Sequence, residues 1–200
     1  MKLSDQNRTL IYEQPKHEVV HVNNNQIEMP GTEVVKGNIP RTITGWWRTS
    51  QQDSYNVYEC GDPWKECAGS FSFGRWFGFD GASRQGLTCH TWCGCYKDAV
   101  GTSGKDAGQS DNTWHHFAHI WDGASHYLYY DGELYSNGGD TNRELATAAS
   151  GCVFGSRDRR FNFKGDVKGI KVYTEALNAT QIKMLFGKLK YCVLLIIGLF

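Results

Sequence analysis

The sequence predicts an all-β protein: a two-sheet antiparallel sandwich with one short C-terminal helix. Aromatic residues make up 14% of the chain and glycines number 23, a mixture that suits short strands packed through rings and joined by tight turns. About ten segments rich in β-branched and aromatic residues recur between Gly, Asp, Pro and Ser punctuation. A single stretch near the end has helical periodicity. With 200 residues, one domain with a sizeable core is expected.

Residues 1–16 are polar and aperiodic and read as a tail. Glu18 to Met29 alternates apolar and polar residues up to Pro30-Gly31 and reads as the first strand. Arg41 to Thr49, Tyr55 to Cys60, Ser70 to Phe77 and Leu87 to Trp92 follow as strands. Adjacent strand residues point to opposite faces, so only one of Trp46 and Trp47 can face the core; Trp114 and one of Phe117 and Ala118 are expected to join it. Lys97 to Asn112 is a polar, glycine-rich loop, long enough to be a functional rim. Thr113 to Trp121 and His126 to Tyr130 are joined through Asp122-Gly123, a strong hairpin signal, and Asp131-Gly132 turns the chain back through Glu133 to Ser136. Gly151 to Gly155 and Gly165 to Tyr173 complete the strands. Asn178 to Leu185 is the helix: Asn178 can cap it, Gln181 holds the capping-box position, Ile182, Leu185 and Phe186 share a face, and Gly187 ends it.

Taken in order, several of these stretches resemble the laminin G-like jelly-roll domains of the concanavalin A-like superfamily, over roughly residues 17 to 186. They are Gln26-Ile27-Glu28-Met29-Pro30, Arg41-Thr42-Ile43 with Trp46-Trp47, Trp114-His115-His116-Phe117-Ala118, and Asp122-Gly123 with Leu128-Tyr129-Tyr130-Asp131-Gly132. Phe154-Gly155, Phe163-Lys164-Gly165-Asp166-Val167, and Val172-Tyr173 to Leu177 with Gln181-Ile182 continue the series. The resemblance implies an extracellular sandwich used for adhesion and for binding glycans or proteins, sometimes through calcium on a rim. Pentraxins, distant relatives, carry an acidic run after the strand equivalent to Val153 to Gly155; here the run is Ser156-Arg157-Asp158-Arg159-Arg160, which departs from their calcium site.

Lys+Arg and Asp+Glu balance at 21 each, so no whole-protein field draws in nucleic acid. Seven cysteines, Cys60, Cys67, Cys89, Cys93, Cys95, Cys152 and Cys192, exceed what a reducing cytosol favours and indicate an extracellular or cell-surface location. Asn7-Arg8-Thr9 and Asn178-Ala179-Thr180 are glycosylation sequons that agree with it. Met1 to Leu10 lacks the apolar core of a secretory signal. Residues 188–200 form a basic-then-apolar tail in which Val193 to Phe200 reads either as the start of a truncated membrane segment, a route to membrane association, or as a hydrophobic C-terminal strand. The domain itself is placed at residues 17–187.

Disulfides are expected among the six domain cysteines, with Cys60 bridged to Cys67 across Gly61-Asp62-Pro63; zinc held by Cys89, Cys93, Cys95 and His90 is the other reading. His115 and His119 share a strand face four residues apart, roughly 13 Å, too far to chelate one ion. No alternating Glu-x-Asp-x-Glu carboxylates of the kind glucanases use are present, and Asp131 and Glu133 read as turn residues, so no catalytic residue and no enzymatic activity are assigned. Calcium is the cofactor the rim acids could hold, at Asp62, Asp98 and Asp158, with Asp111 and Asp122 as further candidates. Arg157, Arg159 and Arg160 form the most suggestive local charge, because guanidinium forks bind carboxylate and sulfate, and Trp64 and Trp92 could stack on sugar faces. The expected function is an extracellular carbohydrate- or protein-binding adhesion module for anionic glycans; a polysaccharide-active hydrolase or lyase, or a structural surface protein, is the alternative.

Overall fold

Strict alternation along the aromatic segments sorts the chain into two stacked layers. The structure, a computed structural model, describes residues 10–15, 18–61, 69–76, 86–93, 109–138, 147, 149–157 and 161–187; within 69–76 and 86–93, side chains are described at Phe73, Gly74, Arg75 and Leu87. The strands are β1 (Leu10–Glu13), β2 (Val19–Asn23), β3 (Ile27–Met29), β4 (Arg41–Arg48), β5 (Tyr55–Cys60) and β6 (Gly69–Trp76). β7 (Gly86–Cys93), β8 (His115–Trp121), β9 (His126–Tyr130), β10 (Glu133–Gly138), β11 (Cys152–Phe154) and β12 (Lys164–Tyr173) follow. One sheet has seven strands in the order β1-β12-β4-β8-β9-β10, with β2 also paired to β12; the other has five, β3-β11-β5-β6-β7. Together with the short helix α1 (179–187), this is the expected two-sheet antiparallel sandwich with one C-terminal helix.

The two inner faces meet through rings. Trp47 is fully buried on β4 and meets Phe73 of the opposite sheet at 5.2 Å between centroids and Phe117 of β8 at 5.9 Å. Phe73 and Phe117 stack at 4.5 Å across the interface. A polar thread runs through this core: the Tyr58 hydroxyl lies 2.6 Å from His119 Nδ1, and His119 Nε2 lies 2.8 Å from His126 Nδ1. Pairing buried polar atoms with one another avoids the cost of orphaning them.

Outward residues of the seven-stranded sheet form a second, smaller core under α1, where Ala118, Ile120, Tyr129 and Tyr173 pack with Leu177 and Ile182. The helix starts as its capping box dictates. Gln181 N–H donates to Asn178 Oδ1 at 3.0 Å, and Asn178 N–H donates to Gln181 Oε1 at 2.7 Å. The sequon residue Asn178 is therefore also the exposed cap of the helix. Trp46, on the outward side of β4, stacks on Phe186 of α1 at 5.6 Å.

Four differences from the sequence reading have local causes. Leu10–Glu13, expected within the tail, is an edge strand that pairs β12. The segment Glu18 to Met29 is broken at Asn24, whose φ of 58° turns the chain, so that β2 joins one sheet and β3 the other. Trp114 is half-buried on the outer face and not in the core, with the Arg48 Cζ 4.9 Å and the Lys168 Nζ 4.0 Å from its ring centroid. The disulfide from Cys60 goes to Cys152, not to Cys67. Cys60 and Cys152 are register partners on adjacent strands, 3.9 Å apart at Cα, so topology and not chain spacing selects the pair.

Candidate functional site

At one end of the sandwich, two loops, the β2–β3 turn and the β11–β12 loop, close around a cleft of about 390 Å³ lined by Asn24, Asn25, Gln26, Ser156 and Asn162. The volume lies within the roughly 300–1,000 Å³ usual for small-ligand sites. The first wall is the β2–β3 turn. Asn23 N–H donates to Asn25 Oδ1 at 2.8 Å, and Asn24 N–H donates to the Phe163 carbonyl at 3.0 Å, which fixes the turn against the chain entering β12.

The second wall follows β11. Gly155 has φ +82°, and a Cβ there would lie 2.6 Å from the Asn25 carbonyl oxygen, so this close approach of the two walls requires glycine. Gln26 Nε2 donates to the Ser156 carbonyl at 2.9 Å and ties the walls together. Below them, the buried Glu59 carboxylate accepts from Ser156 Oγ at 2.8 Å and from Arg157 N–H at 2.7 Å. The third wall is held by Gln51, which donates to the Asn162 carbonyl at 2.9 Å and accepts from Lys164 N–H at 2.8 Å. Every wall is thus pinned by hydrogen bonds before any ligand arrives, and the lining carries amides and a hydroxyl but no charge. Such groups donate and accept at once, which is what a hydroxyl-rich ligand needs.

The loop singled out by its arginines borders this cleft, and its first residue, Ser156, lines it. The Arg157 guanidinium is spent on the protein itself: Nη2 donates to Glu28 Oε2 at 3.2 Å and to the Ser150 carbonyl at 2.9 Å, and Nη1 to Glu28 Oε1 at 3.4 Å. Asp158, Arg159 and Arg160 lie outside the described residues, as do Asp62, Trp64, Cys67, Cys95, Asp98, Cys192 and Asn7. Cys89, His90, Trp92 and Cys93 are on β7, where their side chains are outside the description. The apolar run 193–200 also lies outside it, and no helix among the described residues is long and apolar enough to cross a membrane.

The remaining acidic candidates are occupied by their own turns. Asp122 Oδ1 accepts from Ala124 and Ser125 N–H at 2.8 and 2.7 Å. Asp111 Oδ1 accepts from Thr113 N–H at 2.8 Å and from its hydroxyl at 2.7 Å, which holds the Asp111 carboxyl below its ordinary pKa. Among the described residues, no group of three or more His, Cys, Asp or Glu is placed to hold a metal ion.

Asn24, Asn25, Gln26 and Asn162 are cleft residues that the sequence reading did not single out. The signal for the first three was present as Asn23-Asn24-Asn25-Gln26, a polar run interrupting an alternating strand, and Asn162 had none.

The chain is similar in fold to several solved structures. Domain 4 of AbnA, an extracellular GH43 arabinanase from Geobacillus stearothermophilus solved with arabinotriose, matches at a TM-score of 0.61 and 17% identity, covering 88% of this chain and 81% of that one. The leech intramolecular trans-sialidase, complexed with 2,7-anhydro-Neu5Ac, matches at 0.64 and 15% identity, with coverages of 90% and 28%. A putative carbohydrate binding protein from Bacteroides ovatus matches at 0.58 and 15% identity, with coverages of 87% and 46%. No curated protein sequence matches the chain. The Laminin_G_3 family, described as the concanavalin A-like lectin/glucanases superfamily, matches residues 22–183. Sandwich, topology and family match agree: the chain belongs to the Laminin_G_3 family of the concanavalin A-like lectin/glucanase superfamily.

Proposed function

We propose that this chain is an extracellular carbohydrate-binding adhesion module whose binding site is the amide-lined cleft between the β2–β3 turn and the β11–β12 loop. The observation that carries the reading is the lining itself: four amide side chains and a serine converge, uncharged, in a pinned concavity at the rim of the sandwich. Sugar hydroxyls pair with groups of this kind, and rigid walls spare the ordering cost of binding. Support comes from the similar structures, of which one was solved with arabinotriose, another with a sialic acid derivative, and a third is described as a putative carbohydrate binding protein. The Cys60–Cys152 bridge favours an oxidising location outside the cell. Arg157 supports the cleft wall through Glu28 on this reading, and Arg159 and Arg160 are proposed to meet acidic substituents of the ligand.

A glycan array probed with the full chain, followed by Gln26→Ala/Asn162→Ala, tests the proposal. Binding to a set of oligosaccharides is expected, with at least a tenfold loss in the double variant. Undiminished binding in a folded double variant removes the cleft from the site. Release of new reducing ends from a bound oligosaccharide replaces the binding module with an enzyme.

A further inference from the structure

We propose that the half of the outer face of the seven-stranded sheet that no described residue covers holds a second site, at Arg48, Lys168 and Trp114, for the carboxylate or sulfate group of an acidic saccharide. The site is built by register. His21 of β2 pairs with Asp166 of β12, which pairs with Arg48 of β4, and Trp114 immediately precedes β8 beside Arg48. The four side chains therefore form a row across four neighbouring strands, about 14 Å long at the usual strand spacing.

With Lys168 beside the row, the charges do not balance. The Asp166 carboxylate uses both oxygens: Oδ1 meets His21 Nδ1, and Oδ2 accepts from Arg48 Nε at 2.9 Å and Nη2 at 2.5 Å. Lys168 stands at the next outward position of β12, its ammonium 4.0 Å from the Trp114 ring centroid, and no carboxylate among the described residues lies within ion-pair reach of it. Arg48 Nη1 has no partner among the described residues. Arg48 and Lys168 against Asp166 leave one net positive charge, on a chain whose formal net charge is zero. Two cations thus lie close to one indole ring, and of the two only Arg48 is bonded to the carboxylate. The resulting crowding shows in Lys168, whose ammonium is held below its ordinary pKa by burial and by Arg48. An anionic oxygen placed between Lys168 Nζ and Arg48 Nη1 relieves both.

The size of the imbalance selects the ligand. One net charge fits one isolated carboxylate or sulfate ester; a nucleic-acid backbone presents a phosphate about every 1.7 Å of duplex and calls for many cations. The indole offers apolar surface beside the anion, as a saccharide ring requires. Position points the same way, because His21 is three residues before Asn24 of the cleft, at most about 10 Å, so a glycan seated in the cleft continues onto this face. This last step rests on the cleft reading; the anion site itself does not.

The test measures binding of the full chain to three probes: a galacturonate oligosaccharide, a heparin oligosaccharide and a neutral arabinan oligosaccharide. Lys168→Glu and Trp114→Leu are expected to weaken the acidic probes at least tenfold, Lys168→Arg to retain them, and all three to keep neutral binding and a wild-type circular dichroism spectrum. The two acidic probes tell carboxylate from sulfate. Failure of wild type to bind either acidic probe, or affinities within twofold of wild type in both folded variants, overturns the site. Binding to phosphatidylserine vesicles in place of the oligosaccharides overturns the saccharide assignment. Acidic binding without neutral binding defeats the cleft reading and leaves this site standing.

Discussion

The two faces of the seven-stranded sheet are built from alternate residues of the same strands, yet they do different things. On the inner face Trp47 is sealed among Phe73, Phe117 and Tyr130, and the polar atoms that intrude are threaded together. On the outer face its neighbour Trp46 rests against Phe186 of a nine-residue helix that covers only part of the sheet, and beyond it lie Arg48, Trp114, Asp166 and Lys168. A face packed on another sheet must be apolar or have its polar atoms paired, and it carries stability. A face half covered by a short helix is free to carry charge, and with it recognition.

The largest effect that would sharpen this contrast is Trp47→Ala, expected to cost about 3–5 kcal/mol because the cavity opens between two sheets that cannot close on it. Urea unfolding midpoints measure it. Next is the Cys60–Cys152 bridge between β5 and β11 of the five-stranded sheet, whose cysteines are 92 positions apart; its removal by Cys60→Ala/Cys152→Ala should cost about 2–5 kcal/mol and lower Tm accordingly. Trp46→Ala should cost only about 1–2 kcal/mol, since its burial is partial. Equal losses at Trp46 and Trp47 would break the comparison.

A different kind of effect is pH dependence, where adjacent histidines on opposite faces act in opposite directions. The His115 pKa is raised by its hydrogen bond to Asp131, 3.0 Å away, with Asp111 adding to it against the opposing effect of burial. Its stabilisation is complete below the ordinary value of 6.5 and is lost as pH rises through the raised value. His116, under α1, is pushed down to about 4 by burial, and stays neutral with Nε2 2.9 Å from the Thr44 hydroxyl. The unfolded chain takes up that proton first, so stability falls as pH drops from 6.5 toward about 4. His115→Gln should flatten the alkaline limb of a Tm-against-pH profile, and His116→Gln the acid limb above pH 4. Unchanged limbs in both variants would mean that neither ring couples to folding.

Much of the fold was legible because its signals are local. Tyr55–Cys60 reads as a strand from residue type alone, the Asp122-Gly123 and Asp131-Gly132 turns announce their hairpins, and Asn178 with Gln181 spells out the helix cap. What was not legible depends on distant partners. Leu10–Glu13 has four residues and becomes a strand only through β12, more than 150 positions away. Trp114 looks like core until the parity of β8 places it with the outward residues. The site was the least legible part. Ser156 was reached through its arginine-rich neighbours, but Gln26 meets it only after two loops separated by more than 100 residues converge.

The bridge between β5 and β11 also sets a mechanical limit. A domain pulled from its two ends normally pays out its full contour length. Here the segment between Cys60 and Cys152 is a closed loop bypassed by the covalent bond, and 92 residues at about 3.3 Å each withhold roughly 300 Å of extension. Under oxidising conditions the line of force runs from β5 directly into β11. Even with the sheets pulled open, the chain would stay short, and a reductant would act as the release.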